Sequence, residues 1–335
     1  MRAVYEVRDL AVDVPLGRGL MDGMLRASAR LNILDGITLS VGGGETLGIV
    51  GESGSGKTTL ARAMMGLMPV ASGRLTFEGR DLTTSADFSA LRRRSALMFQ
   101  DATASLSPRM KIGTALIEPF AIHGLRVSDR RAKAGDLLEK IGLPRAFSER
   151  YPHELSGGQA RRVCVARALA LNPALVLADE PTAGLDVSVQ GEILNLLAAL
   201  KTDLGIAFIV ISHNLAMVRH VTDRIAILYL GRLVETGPTR DVFARPAHPY
   251  TASLIASEPQ PDPRKRRETL AIEGEVPSML SRPSGCEFHT RCPRAEALCR
   301  RDRPALREVA PGRIARCHFA EDQLATRENT HGLEN

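Results

Sequence analysis

No apolar run in this sequence approaches the roughly 18–20 residues that span a bilayer, and the longest candidates, such as Ile206–Ile211, suit buried strands. The first residues, Met1–Leu10, mix charges with apolar side chains and offer no uninterrupted hydrophobic stretch, so no signal peptide is expected. Five cysteines are too few to staple a secreted chain of 335 residues, and a cytosolic setting would keep them reduced. A basic block suited to nucleic acid is also missing. Net charge is +6, yet from Glu258 to Asn335 there are 14 Lys and Arg against 13 Asp and Glu. The tail, in which Arg264–Arg267 and Arg300–Arg303 catch the eye, therefore reads as a solvated face of mixed sign, and no nucleic-acid partner is expected. What remains is a globular composition, 44% hydrophobic and 24% charged, long enough for one large domain and a smaller appendage.

Apolar runs mark the framework. Leu47–Val50 ends in a Gly/Ser-rich loop followed by a helical stretch, Thr58–Leu67; Leu175–Ala178 ends in Asp179 and Glu180; Ala207–Ser212 ends at His213. Runs apolar on both faces with polar residues at their C-terminal ends belong to a mostly parallel sheet in an α/β domain. The stretch from Asp101 to Pro152 is rich in Ala, Leu and Arg without a comparable strand, and reads as an inserted helical subdomain, about residues 101–160. Arg224–Gly237 reads as a closing strand pair. Prolines at 246, 249, 259, 261 and 263 mark a linker, and Leu270–Phe319 a small cysteine-bearing module. The expected division is a nucleotide-binding domain over 1–245, then linker and module over 246–335.

Gly51-Glu52-Ser53-Gly54-Ser55-Gly56-Lys57-Thr58 fits the phosphate-loop pattern, with Thr59 following. Its glycines let backbone N–H groups turn toward phosphates, and the helix dipole reinforces them. Lys57 offers a charge to the β- and γ-phosphates, and Thr58 a hydroxyl to Mg²⁺. A flexible Gly/Ser linker would not sit between an apolar strand and a helix. Asp179 is then the carboxylate that holds Mg²⁺, and Glu180 the candidate general base for an attacking water. An acidic pair after a strand is also a common helix cap; its position downstream of the phosphate loop favours the catalytic reading.

The string Leu155-Ser156-Gly157-Gly158-Gln159 precedes a helix, Ala160–Leu171, and offers a second anion site. With the motifs above, it resembles the signature of ABC ATPases. The resemblance runs from about Val4 into the C-terminal region and implies a P-loop NTPase fold of the ABC type. It further implies a head-to-tail dimer in which the Ser156 loop of one subunit closes on ATP bound by the other. In the same light Gln100 resembles the Q-loop glutamine that touches Mg²⁺, Asp186 in Gly184-Leu185-Asp186 the D-loop, and His213 the switch histidine that contacts the γ-phosphate. The family usually places an aromatic residue upstream of the phosphate loop to stack on adenine. Here Val14 falls near that place, with Tyr5 the nearby aromatic.

The C-terminal strings His248-Pro-Tyr-Thr-Ala-Ser-Leu254, Gly285-Cys-Glu-Phe-His289 and Arg291-Cys-Pro293 are similar to the extension of oligopeptide and dipeptide importer ATPases. Cys286, Cys292, Cys299 and Cys317 could hold Zn²⁺ or an iron–sulfur cluster. The absence of a C-x2-C pair weakens zinc, and the resemblance favours [4Fe–4S]; four buried apolar cysteines are the plain alternative. Cys164 reads as packing. The resemblance implies two transmembrane permease subunits, a second ABC ATPase subunit (paralogue or self) and an extracytoplasmic solute-binding protein as partners, at the cytoplasmic face of the inner membrane. An ABC ATPase of a soluble complex or of DNA maintenance is the alternative. The gap from Gln100 to Leu155 is too short for the long insertions of the DNA-maintenance kind.

Overall fold

The computed structural model describes residues 3–16, 30–258 and 274–326. The chain divides into two compact units. One comprises residues 1–6, 40–46 and 76–212, the other 7–39, 47–75 and 213–335.

In the first unit, strands β6 (Ser95–Met98), β7 (Leu175–Asp179) and β8 (Ala207–Ser212) pair in parallel, with Asp179 opposite Ile211. The first four residues of β7 and all of β8 are buried, as expected of strands covered on both faces. Helix α2 (Ser85–Arg94) opens with a reciprocal cap between Thr84 and Asp87 and leads into β6. The expected helical insertion is present as α3 (Ala102–Ser105), α4 (Ile112–Ile122) and α5 (Arg130–Lys140). They lead to α6 (Gly157–Leu169), and α7 (Val187–Leu204) follows β7. Leu116, Leu137, Leu138 and Val163, all buried, form the interior on the helical side.

In the second unit, β1 (Ala3–Pro15) and β2 (Arg30–Gly42) contribute their middle portions, and β4 (Ser72–Phe77) lies beside β1. Strand β3 (Thr46–Val50) runs parallel to β9 (Arg224–Tyr229), which turns through Leu230-Gly231 into antiparallel β10 (Arg232–Pro238). The closing strand pair read from the sequence is therefore formed. The short β5 (Arg80–Asp81) pairs with the end of β4 in the first unit.

The C-terminal residues continue the sheet that carries the phosphate loop. Strand β12 (Arg313–Ala315) pairs with β10, and β11 (Arg307–Ala310) with β12. Helices α1 (Lys57–Met64), α8 (Leu215–Val221), α9 (Thr239–Ala244), α10 (Pro249–Ala256), α11 (Ala297–Arg301) and α12 (Ala320–Thr326) complete the unit. The proline-marked linker differs from expectation at its start. Pro249 occupies the first turn of α10, where a missing N–H is harmless, and Tyr250, Thr251 and Ala252 are buried. The prolines at 259, 261 and 263 and Arg264–Arg267 lie outside the described residues. Among the described residues, no helix is long and apolar enough to cross a membrane.

Candidate functional site

The phosphate loop is shaped by its glycines and closed by its lysine. A Cβ on Gly51 would stand 2.2 Å from the carbonyl oxygen of Leu228, and Gly54 and Gly56 have φ of 77° and 97°. Only glycine takes these positions without strain. The N–H of Ser55, buried in the loop, donates to the Glu52 carbonyl, and its own carbonyl accepts from Gly231 N–H at 2.9 Å. Lys57 Nζ donates to the carbonyls of Gly51 (2.7 Å) and Glu52 (2.9 Å) and to Ser55 Oγ (3.4 Å). That places its charge over the loop. Thr58, like Ser53 and Gly54, is exposed, and Thr59 is half-buried.

Two features of this loop could not be read from spacing alone. The Glu52 carboxylate is held by both terminal nitrogens of Arg291, at 2.7 and 3.0 Å, and its N–H donates to the Tyr250 hydroxyl at 2.9 Å. Below them Tyr250 packs on Tyr229 and Phe288, with ring centroids 4.7 and 5.3 Å apart. A second cluster joins buried Arg232 to buried Glu287 and to the partly exposed Asp35, with Arg282 donating to the carbonyl of Asn32 at 2.7 Å. A third joins Glu235, fully buried, to Arg313 at 2.8 Å. The tail arginines that form these clusters are interior, so the mixed solvated face expected of the tail is corrected for Arg282, Arg291 and Arg313. The count of charges was right, but their pairing buries them. Arg300, Arg301 and Arg303 are exposed as expected.

In the first unit, Asp179 closes β7 and Glu180 follows it with φ of 51°, the left-handed region. For a non-glycine residue this costs about 1–2 kcal/mol. The conformation is held because Glu180 N–H donates to the Ile211 carbonyl at 2.9 Å and Ser212 Oγ donates to Glu180 Oε2 at 3.2 Å. Ser212 was absent from the sequence-derived set; a hydroxyl ending the neighbouring parallel strand was its one signal.

Ser156 caps α6: its Oγ accepts from Gln159 N–H, while Gln159 Oε1 accepts from Ser156 N–H. Gln159 thus shapes the loop through a capping box. Gly158 is required by packing, since a Cβ there would meet Val189 of α7 at 2.7 Å; Gly157 faces Leu185. Arg161, also missed, is buried in α6. It donates to the carbonyls of Phe99 (3.2 Å), Gln100 (2.7 Å) and Ala183 (3.2 Å). One guanidinium therefore fixes the backbones of the signature helix, the Gln100 loop and the turn before Asp186. Gln100 and Asp186 keep exposed side chains, Asp186 at the N-cap of α7. His213, exposed, follows β8 in the chain and belongs to the second unit.

Two expectations need correction. Tyr5 is fully buried, its ring 6.0 Å from that of Phe77, so it has no free face for adenine. The four cysteines do converge, lining one cavity of about 20 Å³ with Phe288, but that is room for about one water. Among the described residues no three His, Cys, Asp or Glu side chains are placed to hold a metal ion. The [4Fe–4S] cluster or zinc read from the sequence is therefore not supported by the placement of these side chains. Burial pushes the Cys286 thiol up to about 12 and Cys317 to about 11, which keeps both neutral. Cys164 packs as expected, with Sγ 3.3 Å from Ser105 Oγ.

A glycine-shaped phosphate loop, a carboxylate pair ending a parallel strand and a capped Ser-Gly-Gly turn define an α/β ATPase of the P-loop class. Comparisons with known proteins specify the family. The ABC transporter model matches residues 34–183, and the model described as the oligopeptide/dipeptide transporter C-terminal region matches residues 234–299. A protein of Brucella ovis, provisionally named a peptide import ATP-binding protein, is 45% identical over 303 residues, 90% of this chain and 96% of its own length. One of Brucella abortus with the same name is 45% identical over 320 residues, 94% of each. Among solved structures, a dimeric ATP-binding cassette in a post-hydrolysis state with ADP and Pi matches with TM-score 0.61 and 27% identity, over 70% of this chain and 99% of its own. So does cbiO1 of Clostridium perfringens, part of an ABC transporter complex, with the same score and identity, over 73% and 92%. The chain belongs to the family of ABC transporter ATP-binding proteins.

Proposed function

We propose that this chain is the ATP-hydrolysing subunit of an importer for dipeptides, oligopeptides or similar small solutes. The observation that carries the reading is the C-terminal region, which matches the oligopeptide/dipeptide transporter model over 234–299 and is built into the sheet that bears the phosphate loop.

In this reading Gly51–Thr59 receives the phosphates of ATP, and Lys57 exchanges loop carbonyls for phosphate oxygens. Thr58, Gln100 and Asp179 carry the oxygen donors that Mg²⁺ takes, and the ion would supply charge neutralisation on the phosphates. Glu180, held by Ser212, polarises the attacking water, and His213 contacts the γ-phosphate. A second ATPase subunit, self or paralogue, presents its own Ser156–Gln159 turn, with Asp186 at the seam.

The helical insertion carries a groove of about 450 Å³ lined by Met110, Thr114, Ile117 and Ala121, which supports docking of one of the two permease subunits there. An extracytoplasmic binding protein delivers the solute, and the chain sits peripherally on the cytoplasmic face of the inner membrane. The test is affinity capture of the tagged chain from gently solubilised membranes. Two multi-span permeases and a second ATPase are expected. Recovery of soluble enzymes or nucleic acid alone refutes import and leaves ATP hydrolysis standing.

A further inference from the structure

Glu52 sets a problem for the phosphate loop. A nucleoside triphosphate brings several negative charges, and Glu52 puts another one inside the loop that must receive them. Its carbonyl already accepts from Lys57 Nζ, so residue 52 and the phosphate-binding lysine are immediate neighbours. Left alone, that carboxylate would work against ATP.

The chain solves the problem from 239 residues away. Arg291 reaches Glu52 with both terminal nitrogens, a fork that matches carboxylate geometry. Its side chain is 5% exposed and that of Glu52 24%, so water screens the pair weakly. The guanidinium is held in turn. Its carbon lies 6.0 Å from the centre of the Tyr229 ring, and Nη1 is 3.5 Å from the Tyr229 hydroxyl. Tyr250 fixes the backbone of the same residue by accepting Glu52 N–H. All these groups lie in the second unit.

We propose that Arg291 is a positioning residue for ATP binding: it neutralises the Glu52 carboxylate and turns it away from the phosphates, so that the C-terminal module sets the nucleotide affinity of the phosphate loop. The proposal rests on reading Gly51–Thr58 as the ATP site. It assigns Arg291 no contact with the nucleotide.

The charge logic makes a signed set of predictions for the full-length chain, read by equilibrium binding of a fluorescent ATP analogue with Mg²⁺ and by the KM and kcat of hydrolysis. Arg291→Gln exposes an uncompensated carboxylate to the triphosphate and should weaken binding by about tenfold, raising KM more than it lowers kcat. The loss should shrink as salt is raised, because screening weakens repulsion. Glu52→Gln removes the carboxylate but leaves the cation and should bind ATP more tightly than wild type. The double variant Glu52→Gln/Arg291→Gln should recover most of the affinity lost in the single one. Arg291→Lys keeps the charge without the fork and should lie between wild type and Arg291→Gln.

A double variant that binds no better than Arg291→Gln would overturn the proposal, as would Arg291→Gln with wild-type affinity. If Arg291→Gln does not fold, the Glu52→Gln result decides: unchanged or weakened affinity refutes the charge argument. Failure of the wild-type chain to bind the analogue would instead refute the ATP site on which the proposal rests.

Discussion

His248 should make the stability of this chain fall in mild acid, by an amount the structure sets. The imidazole is buried, and its Nδ1 accepts the Tyr250 N–H at 3.0 Å as the cap of α10. Protonation would both charge a desolvated ring and destroy that acceptor. Burial, partly offset by a hydrogen bond with the Arg316 backbone, lowers its pKa from 6.5 to about 3. The folded state therefore keeps the ring neutral while the unfolded chain takes up a proton below about pH 6.5. The stability tied to His248 is complete above that pH and is lost progressively as pH falls toward 3. At pH 5 the unfolded ring is favoured by about 1.5 pH units, which corresponds to about 2 kcal/mol. Glu235 accepts the backbone N–H of His248, and burial raises its pKa, so it too contributes to the pH dependence. The comparison must therefore be with His248→Asn, which keeps a capping acceptor and cannot titrate. Urea unfolding of both chains at pH 7 and pH 5 should show wild type losing about 2 kcal/mol more than the variant. Equal losses in the two chains would refute the assignment of a neutral, cap-forming His248.

Three further outcomes follow from the site. Glu180→Gln should bind ATP and hydrolyse it on the order of 10²–10⁴-fold more slowly; near-normal turnover in a phosphate-release assay would remove Glu180 as the base. Arg161→Met leaves three carbonyls without their charged donor and should cost about 2–4 kcal/mol by denaturant unfolding. A cost below about 1 kcal/mol would mean that water replaces the guanidinium. Gly51→Ala drives a methyl toward the Leu228 carbonyl at 2.2 Å and should lower stability by about 1–3 kcal/mol, with nucleotide binding lost in the same titration.

The nucleotide motifs were legible because each is a local device. Gly51–Thr58 shapes a loop from its own backbone, Ser156 and Gln159 cap each other across three residues, and Glu180 directly follows the strand that presents it. The helical insertion was legible from its Ala/Leu/Arg-rich composition and its lack of an apolar strand, and the β9–β10 pair from the stretch Arg224–Gly237. What the sequence concealed depends on pairing over long separations. Glu52 is 198 residues from Tyr250 and 239 from Arg291, and no local pattern connects them. Composition misled where charges pair inside: an arginine-rich tail with near-balanced charge reads the same whether Arg291 and Arg313 face solvent or carboxylates. Proline misled at residue 249 because the residue that breaks helices also starts them. Cysteine spacing indicated convergence on one cavity, but not the distance between the thiols or the space they enclose.

Gly231 also constrains how the protein can be handled. Its N–H holds Ser55, its carbonyl accepts from Asp35 N–H at 3.0 Å, and a Cβ on it would fall 1.7 Å from the Ile33 carbonyl. The β9–β10 hairpin is therefore a rigid spacer of fixed length between the phosphate loop and the N-terminal strands. A dye, crosslinker or epitope placed in that turn would report on damage to the nucleotide site. The turn at Gly312 is exposed, with open space where a side chain would point. Labels and tethers belong on exposed Pro311 beside it, because Gly312 has φ of 68° and a side chain on it would be strained; there they can follow the C-terminal module from the edge of the same sheet.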